Sequence, residues 1–480
     1  MNLPLLSPGM CVLIIICACM MLTAAVTLYL IRHKFKSPKN RKRSAIFALS
    51  VFGLVIAYIL FYTVSNMIGR AQVQAQLAKM REQGIPLDKE LVLPKMPTNA
   101  SDNGSYFYKA AFELMKGSSS YKTLQDMITA QPSYNVAEWS EQARNSVPRI
   151  LKNQDIEQIL SLFRQGAEKP CAVSRRDFMD NKYNLSELSS MRELFRFVSV
   201  ISSSNGLNGN LDAGYSLIRD GLKVIKQFEN EPFLISQLVN IACMAVNLGD
   251  MNALVSRYGI STQAAEQLLS ELSKIDFMRG MSTGMNGEIM LSREILKKFM
   301  AEYEYKPGSP ETYELIPGPK FLSKVWPFFY QDYACCLAQM SKIRDLNDKP
   351  YWAVQNKVKE LENEGKHFSY SYMTRDMTIG LIYARTKVAN IESEIDAAKL
   401  TLALHIYKNE HGAFPDKLEQ LAPQILKAIP VDPISGNPFE YQKTNGKFTL
   451  SSVWLKEKEE RQKKQAKRTQ SAKPNSTKPK

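Results

Sequence analysis

Four histidines, seven cysteines and 47 carboxylates are the chain's stock of reactive side chains. Their spacing decides what chemistry they can share. His405 and His411 are six apart, neither i,i+3 nor i,i+4, so one helix face does not present both to a metal. His33 lies in a basic stretch and His367 in a charged one. No two cysteines have C-x-x-C spacing, which argues against zinc and thioredoxin-type chemistry. Adjacent Cys335 and Cys336 would suit a redox pair, but small apolar residues on a helix are the expectation. Glu288, Arg293 and Glu294 share one helical stretch, and Glu392 stands close to Glu394. Among 47 acids such groupings arise by chance and read as solvated or ion-paired faces. The metalloprotease, serine-hydrolase, P-loop and dinucleotide-binding signatures do not occur. The expectation is a non-enzymatic chain, with no catalytic, cofactor-binding or metal-ligating residue and no cofactor. Asn99, Asn103, Asn184 and Asn475 open Asn-x-Ser/Thr triplets, which matter only in a glycosylating pathway.

The elements that would position any site begin with two apolar runs. Residues 11–31 hold no charge over 21 positions, enough for a helix to cross a bilayer. Residues 44–67 are a second uncharged run, with Tyr58, Phe61 and Tyr62 in its later part. Twelve residues, 32–43, join them and carry seven Lys/Arg and no acid. The first nine residues have no basic side chain, so a retained anchor is expected, not a cleaved signal. The basic loop belongs on the cytoplasmic side. This predicts a two-pass protein of the cytoplasmic membrane over 1–69. Both termini and the bulk of the chain are then extracytoplasmic, and the lipid bilayer is its first partner.

The formal charge of +15 suggests nucleic acid until it is located. Of the 62 Lys/Arg, seven lie in 32–43 and ten in 456–480; three of the 47 acids lie in that tail. The remaining 45 basic and 44 acidic side chains nearly cancel, so no nucleic-acid partner is expected. The tail itself, 456–480, is low in complexity and expected to be disordered.

Between these ends the period is helical. Residues 70–83 extend the second span, Gly84 ends it, and 84–104 form a proline-bearing connector. From about 105 to 369 apolar residues recur at three and four, as at Leu188, Met191, Leu194, Phe195 and Val198. The sequence predicts a break at 205–210, Pro232 in a first turn, Gly259 as a stop and Ser261 or Thr262 as a cap. The expected fold class is mainly α: a two-helix transmembrane hairpin, an α-helical array that is TPR-like by analogy only, and a small C-terminal α+β unit over 370–455. The aromatic stretch 326–336 reads as packing between helices.

That last unit carries a resemblance. Ala403, Leu404 and Tyr407 are followed by Gly412, Phe414 and Pro415, then Leu418 and Leu421. Pro430, Asp432, Pro433, Gly436, Pro438, Phe439 and Tyr441 come next, before Phe448, Leu450 and Ser452. The pattern, over 397–453, resembles the C-terminal part of type II secretion major pseudopilins. Its local chemistry agrees. Asp416 with Glu419 suits a capping box for 417–426, and 439–442 and 447–453 suit a hairpin around Asn445-Gly446. The prepilin leader and the family's calcium-loop acids are absent, so neither polymerisation nor calcium is implied. The whole layout also resembles membrane proteins of planctomycete and verrucomicrobial type, to which no activity is attached. The function expected is an extracytoplasmic interaction or assembly protein with envelope protein partners. Alternatives are a secretion-related component, or an enzyme or receptor with a pocket among the helices.

Overall fold

In the computed structural model, residues 25, 29, 38–131, 133–174, 185–301, 327–367 and 372–471 are described. The rest of the first apolar run, residues 32–37 with His33, Asn184 and Asn475 lie outside them, as does the side chain of His367. The fold is mainly helical with one two-stranded sheet.

Helix α1 runs unbroken from Pro38 to Glu82. Residues 38–43 of the basic segment are helical, where the sequence suggested a connecting loop. Gly84, at φ 70°, stops α1 as expected. Beyond it a short turn of helix, α2 (Lys89–Val92), leads to a proline-bearing connector. The next helices are α3 (Gly104–Gly117), α4 (Ser119–Ala130), α5 (Glu141–Leu151) and α6 (Gln154–Ala167). α3 starts one residue before Ser105 because Asn103 caps it, accepting from the Ser105 amide. Asn103 is fully buried and also bonds Val173, so this triplet is closed to modification in the fold.

Then follow α7 (Leu185–Leu207), α8 (Leu211–Phe228), α9 (Leu234–Tyr258), α10 (Thr262–Leu272) and α11 (Phe277–Ala301). The α7–α8 break is narrower than 205–210, since α7 reaches Leu207. Pro232 precedes α9, where Phe233 is the capping position. Gly259, at φ 74°, and Ser261, accepting from the Ala264 amide, stop α9 and cap α10 as expected.

α9 is apolar enough to cross a membrane, yet 61% of its most apolar window is buried in protein, against 17% for α1. Its polar residues explain its place. Gln237 donates to the carbonyls of Phe228, Glu229 and Glu231, closing the end of α8. Asn240 and Asn247 donate to Ile225 and Ile218 of α8. Glu288 of α11 accepts from the Leu234 amide at the start of α9. It is a half-buried helix cap, not part of a solvated face, and burial lifts its carboxyl to about 6. Arg293 ties α11 to Leu87 and Asp88 of the connector. α9 is thus the body's core helix.

Asp250, also on α9, is lifted by burial to about 8, beside Ser202. The folded state keeps a proton that the unfolded chain releases near its ordinary 3.8. This site's contribution to stability is full below that value and is lost as pH rises toward about 8. Asp250→Asn cannot ionise. Its unfolding midpoint is expected to gain on the native chain between pH 5 and 8; parallel profiles would refute the assignment.

The chain continues with α12 (Phe329–Arg344), α13 (Tyr351–His367) and α14 (Tyr372–His411). α14 is the spine: α9, α10, α12 and α13 all pack on it. One hydrophobic core runs from Val73 in α1 to Phe439, so the boundary drawn at 370 crosses a continuous interior. Gly412, at φ 78°, turns the chain back. The segment 417–426 does not make the expected helix. It forms only a 3-10 turn, Leu418–Leu421, and Pro423 cannot donate to continue it. Gln420, not Glu419, completes the cap, its Oε1 accepting from the Asp416 and Lys417 amides.

Strands β1 (Glu440–Thr444) and β2 (Lys447–Ser451) pair antiparallel, with Tyr441 opposite Leu450. Asn445 and Gly446 both have positive φ, as a two-residue hairpin turn requires. The tail is not disordered where it is described: α15 spans Val453–Ser471. Lys, Glu, Gln and Arg favour helix, and Glu457–Arg461 and Glu459–Lys463 pair at i,i+4. Ser452 caps it, and Trp454 and Lys458 both bond Glu394 of α14.

Candidate functional site

A cleft of about 810 Å³ opens where the helical body meets the C-terminal unit. Four segments line it: the start of α11, the α12–α13 loop with Trp352, the middle of α14, and the loop 430–433. Each is placed by a local cause. Asp276 caps α11 through the Arg279 amide, while its own amide donates to Glu229. Glu392, Asp396 and Lys399 stand at i, i+4 and i+7 on α14, so they share a face. Gly436, at φ 73°, has no side chain and lets the Trp352 ring lie against the loop; the Trp352 amide donates to the Pro433 carbonyl.

The loop itself hangs on Asp432, which is buried. Its carboxylate accepts from Ser393 Oγ of α14, from the Ile434 and Ser435 amides, from Ser435 Oγ and from the Val453 amide. One side chain thereby joins α14, the loop and α15.

The electrostatics concentrate on Glu392. Burial lifts its carboxyl to about 7; Arg385 opposes this, and Asp396 and Asp276 add to it. Asp396 is also raised, chiefly by burial, against the pull of Lys399, its ion-pair partner at 3.1 Å. Glu392 has no hydrogen bond or ion pair among the described residues. Beneath it Arg385 is fully buried, donating to the Lys349 carbonyl and lying 5.4 Å from the Tyr351 ring centre. A carboxyl poised near neutrality in an open cleft can exchange a proton or receive a cationic group. Among the described residues no group of His, Cys, Asp and Glu could hold a metal.

The sequence pairing of Glu392 with Glu394 dissolves in the fold. Glu392 faces the cleft, while Glu394 is held by α15. The histidines are separated too. His405 packs edge-on to Phe414 and Phe448, with burial lowering its pKa, whereas His411 stacks on Tyr407. Cys335 and Cys336 are free thiols, both pushed up by burial, which disfavours the reactive thiolate. Of the aromatic stretch, Phe329, Tyr330 and Tyr333 are buried as packing, while Phe328 is exposed. Asp276, Lys349 and Val431 were invisible as site residues because only the tertiary fold brings them to α14. Comparison with family models, curated proteins and solved structures finds no match.

Proposed function

We propose that this chain is a membrane-anchored, extracytoplasmic binding protein that offers the α11–α14 cleft to an envelope partner. The observation that carries the reading is the division of α1. Its apolar residues from Ile46 to Ile68 are mostly exposed, while Val73, Leu77 and Met80 are buried in the body's core. Exposed apolar surface on that scale favours lipid around the first half. Ala48, Val55 and Tyr62 recur at sevens as a buried stripe, the pattern of a helix–helix seam. The basic segment before Ser44 supports a cytoplasmic start and an extracytoplasmic body. The cleft supports binding, because an open carboxyl at Glu392 stands beside the Asp396–Lys399 ion pair on one face of α14. A secretion-related role is the second reading, favoured by the long helix, turn and hairpin of 372–451.

Three expected results test this. The native chain should stay in membranes through an alkaline carbonate wash. An epitope placed at Asn445-Gly446 should be removed by protease added to spheroplasts; protection of the epitope until lysis would overturn the orientation. A photo-crosslinker at Val431, in the cleft wall, should give a discrete adduct with an envelope protein, and loss of that adduct on Trp352→Ala would tie it to the cleft.

A further inference from the structure

We infer that the start of α12, at Pro327 and Phe328, is itself seated in the leaflet nearest the body, giving the protein a second lipid contact at the level of Phe61. The inference rests on α1 spanning the bilayer and adds what the body does there.

Residues 44–69 are uncharged, bounded by Arg43 and Arg70. A helix needs about 20 residues to cross the hydrocarbon. Every 20-residue window within 44–69 contains residues 50–63, so Phe61 lies in the hydrocarbon in every register. The boundary nearest the body then falls between residues 63 and 69, which places Phe61 roughly 3 to 12 Å inside it at 1.5 Å per residue. The ring of Phe328 meets that of Phe61 edge-on, with centroids 5.7 Å apart. Phe328 therefore shares this depth to within about one ring, from the interface in the shallowest register to the acyl chains in the others.

The side-chain donors beside it are paired as a water-poor setting requires, while Gln331 Oε1 is buried with no hydrogen-bond partner among the described residues. Ser65 Oγ donates to the Pro327 carbonyl at 2.7 Å, and Gln331 Nε2 donates to the Ser65 carbonyl and hydroxyl at 2.7 and 2.8 Å. At Gly69 the two helices come so close that a Cβ would stand 2.6 Å from that of Tyr330. The Arg70 guanidinium lies 5.0 Å from the Tyr330 ring centre, the arrangement of cation and aromatic expected at headgroup level. Phe61 and Phe328 nonetheless remain 50% and 44% exposed. Two touching rings half-open to their surroundings are unfavourable in water and favourable in acyl chains. The occupant that fits is lipid, since this surface is continuous with the exposed apolar band of α1.

The test uses the full chain reconstituted in phosphatidylethanolamine–phosphatidylglycerol vesicles, with p-benzoylphenylalanine replacing Phe61, Phe328 or Tyr106. Tyr106 is an exposed ring on α3 and serves as the reference. On irradiation, lipid adducts are expected at 61 and 328 in comparable yield, well above the yield at 106. Adducts at 61 with a 328 yield no higher than at 106 would overturn the second contact and leave the anchor standing. Absence of lipid adducts at both 61 and 328 would overturn the anchor reading with it.

Discussion

Replacing Gly287 by alanine is expected to lower the unfolding midpoint of the detergent-solubilised chain more than any other single methyl addition in the body. Gly280, Gly284 and Gly287 lie along α11 where it crosses the α8–α9 corner. A Cβ at 287 would overlap the Pro232 carbonyl, which is backbone and cannot rotate away. α11 would have to move off the corner, breaking the Glu288 cap on α9 and misplacing Asp276, which begins the cleft. Overpacking of this kind costs about 3 kcal/mol. Gly249→Ala is the control. That glycine is exposed on α9 with nothing near its missing Cβ, so alanine should be neutral or stabilise by about 0.5–1 kcal/mol. Equal midpoints for the two variants would show that α11 does not approach the corner as described.

Asp432→Ala should be nearly as severe, and local. It removes the acceptor for Ser393, two loop amides, Ser435 Oγ and the Val453 amide. Stranding buried donors costs on the order of 1–3 kcal/mol each where no water replaces the carboxylate. Hydrogen exchange should accelerate over 430–437 and at the start of α15, with α7 to α9 unchanged. Asp416→Ala, which breaks an exposed pair with Lys443, should leave all of these unaffected. Uniform acceleration through the body after Asp432→Ala would mean that the C-terminal unit is not a separable layer on α14.

How much of this was legible follows from how each feature is encoded. Gly84, Gly259 and Gly412 mark helix ends, and Asn445-Gly446 marks a hairpin, because each needs a backbone that few residues adopt. Helical period marks α7 to α10 because one face is buried against neighbours. The cap by Glu288, the Gln237 bonds and the cleft were not legible, since each joins residues distant in sequence. Glu392 was read beside Glu394, its nearest acid along the chain. Helical geometry turns the two apart, and the effective neighbours of Glu392 are Asp276, Arg385 and Asp396. The tail misled for another reason: a composition typical of disorder is also rich in helix formers, and Glu394 supplies the tertiary contact that fixes its first turns.

The unbroken α1 has a mechanical consequence. Its 26 uncharged positions make about 39 Å of helix, some 9 Å more than a typical hydrocarbon layer. Such a mismatch is relieved by tilting, and the available tilt grows as the bilayer thins. Because the half of α1 proposed to face lipid and its core-embedded half are one rod, any change of tilt in a bilayer would swing the whole body with it. On the proposed anchoring, membrane thickness would become a variable that sets the height and angle at which the cleft faces its surroundings.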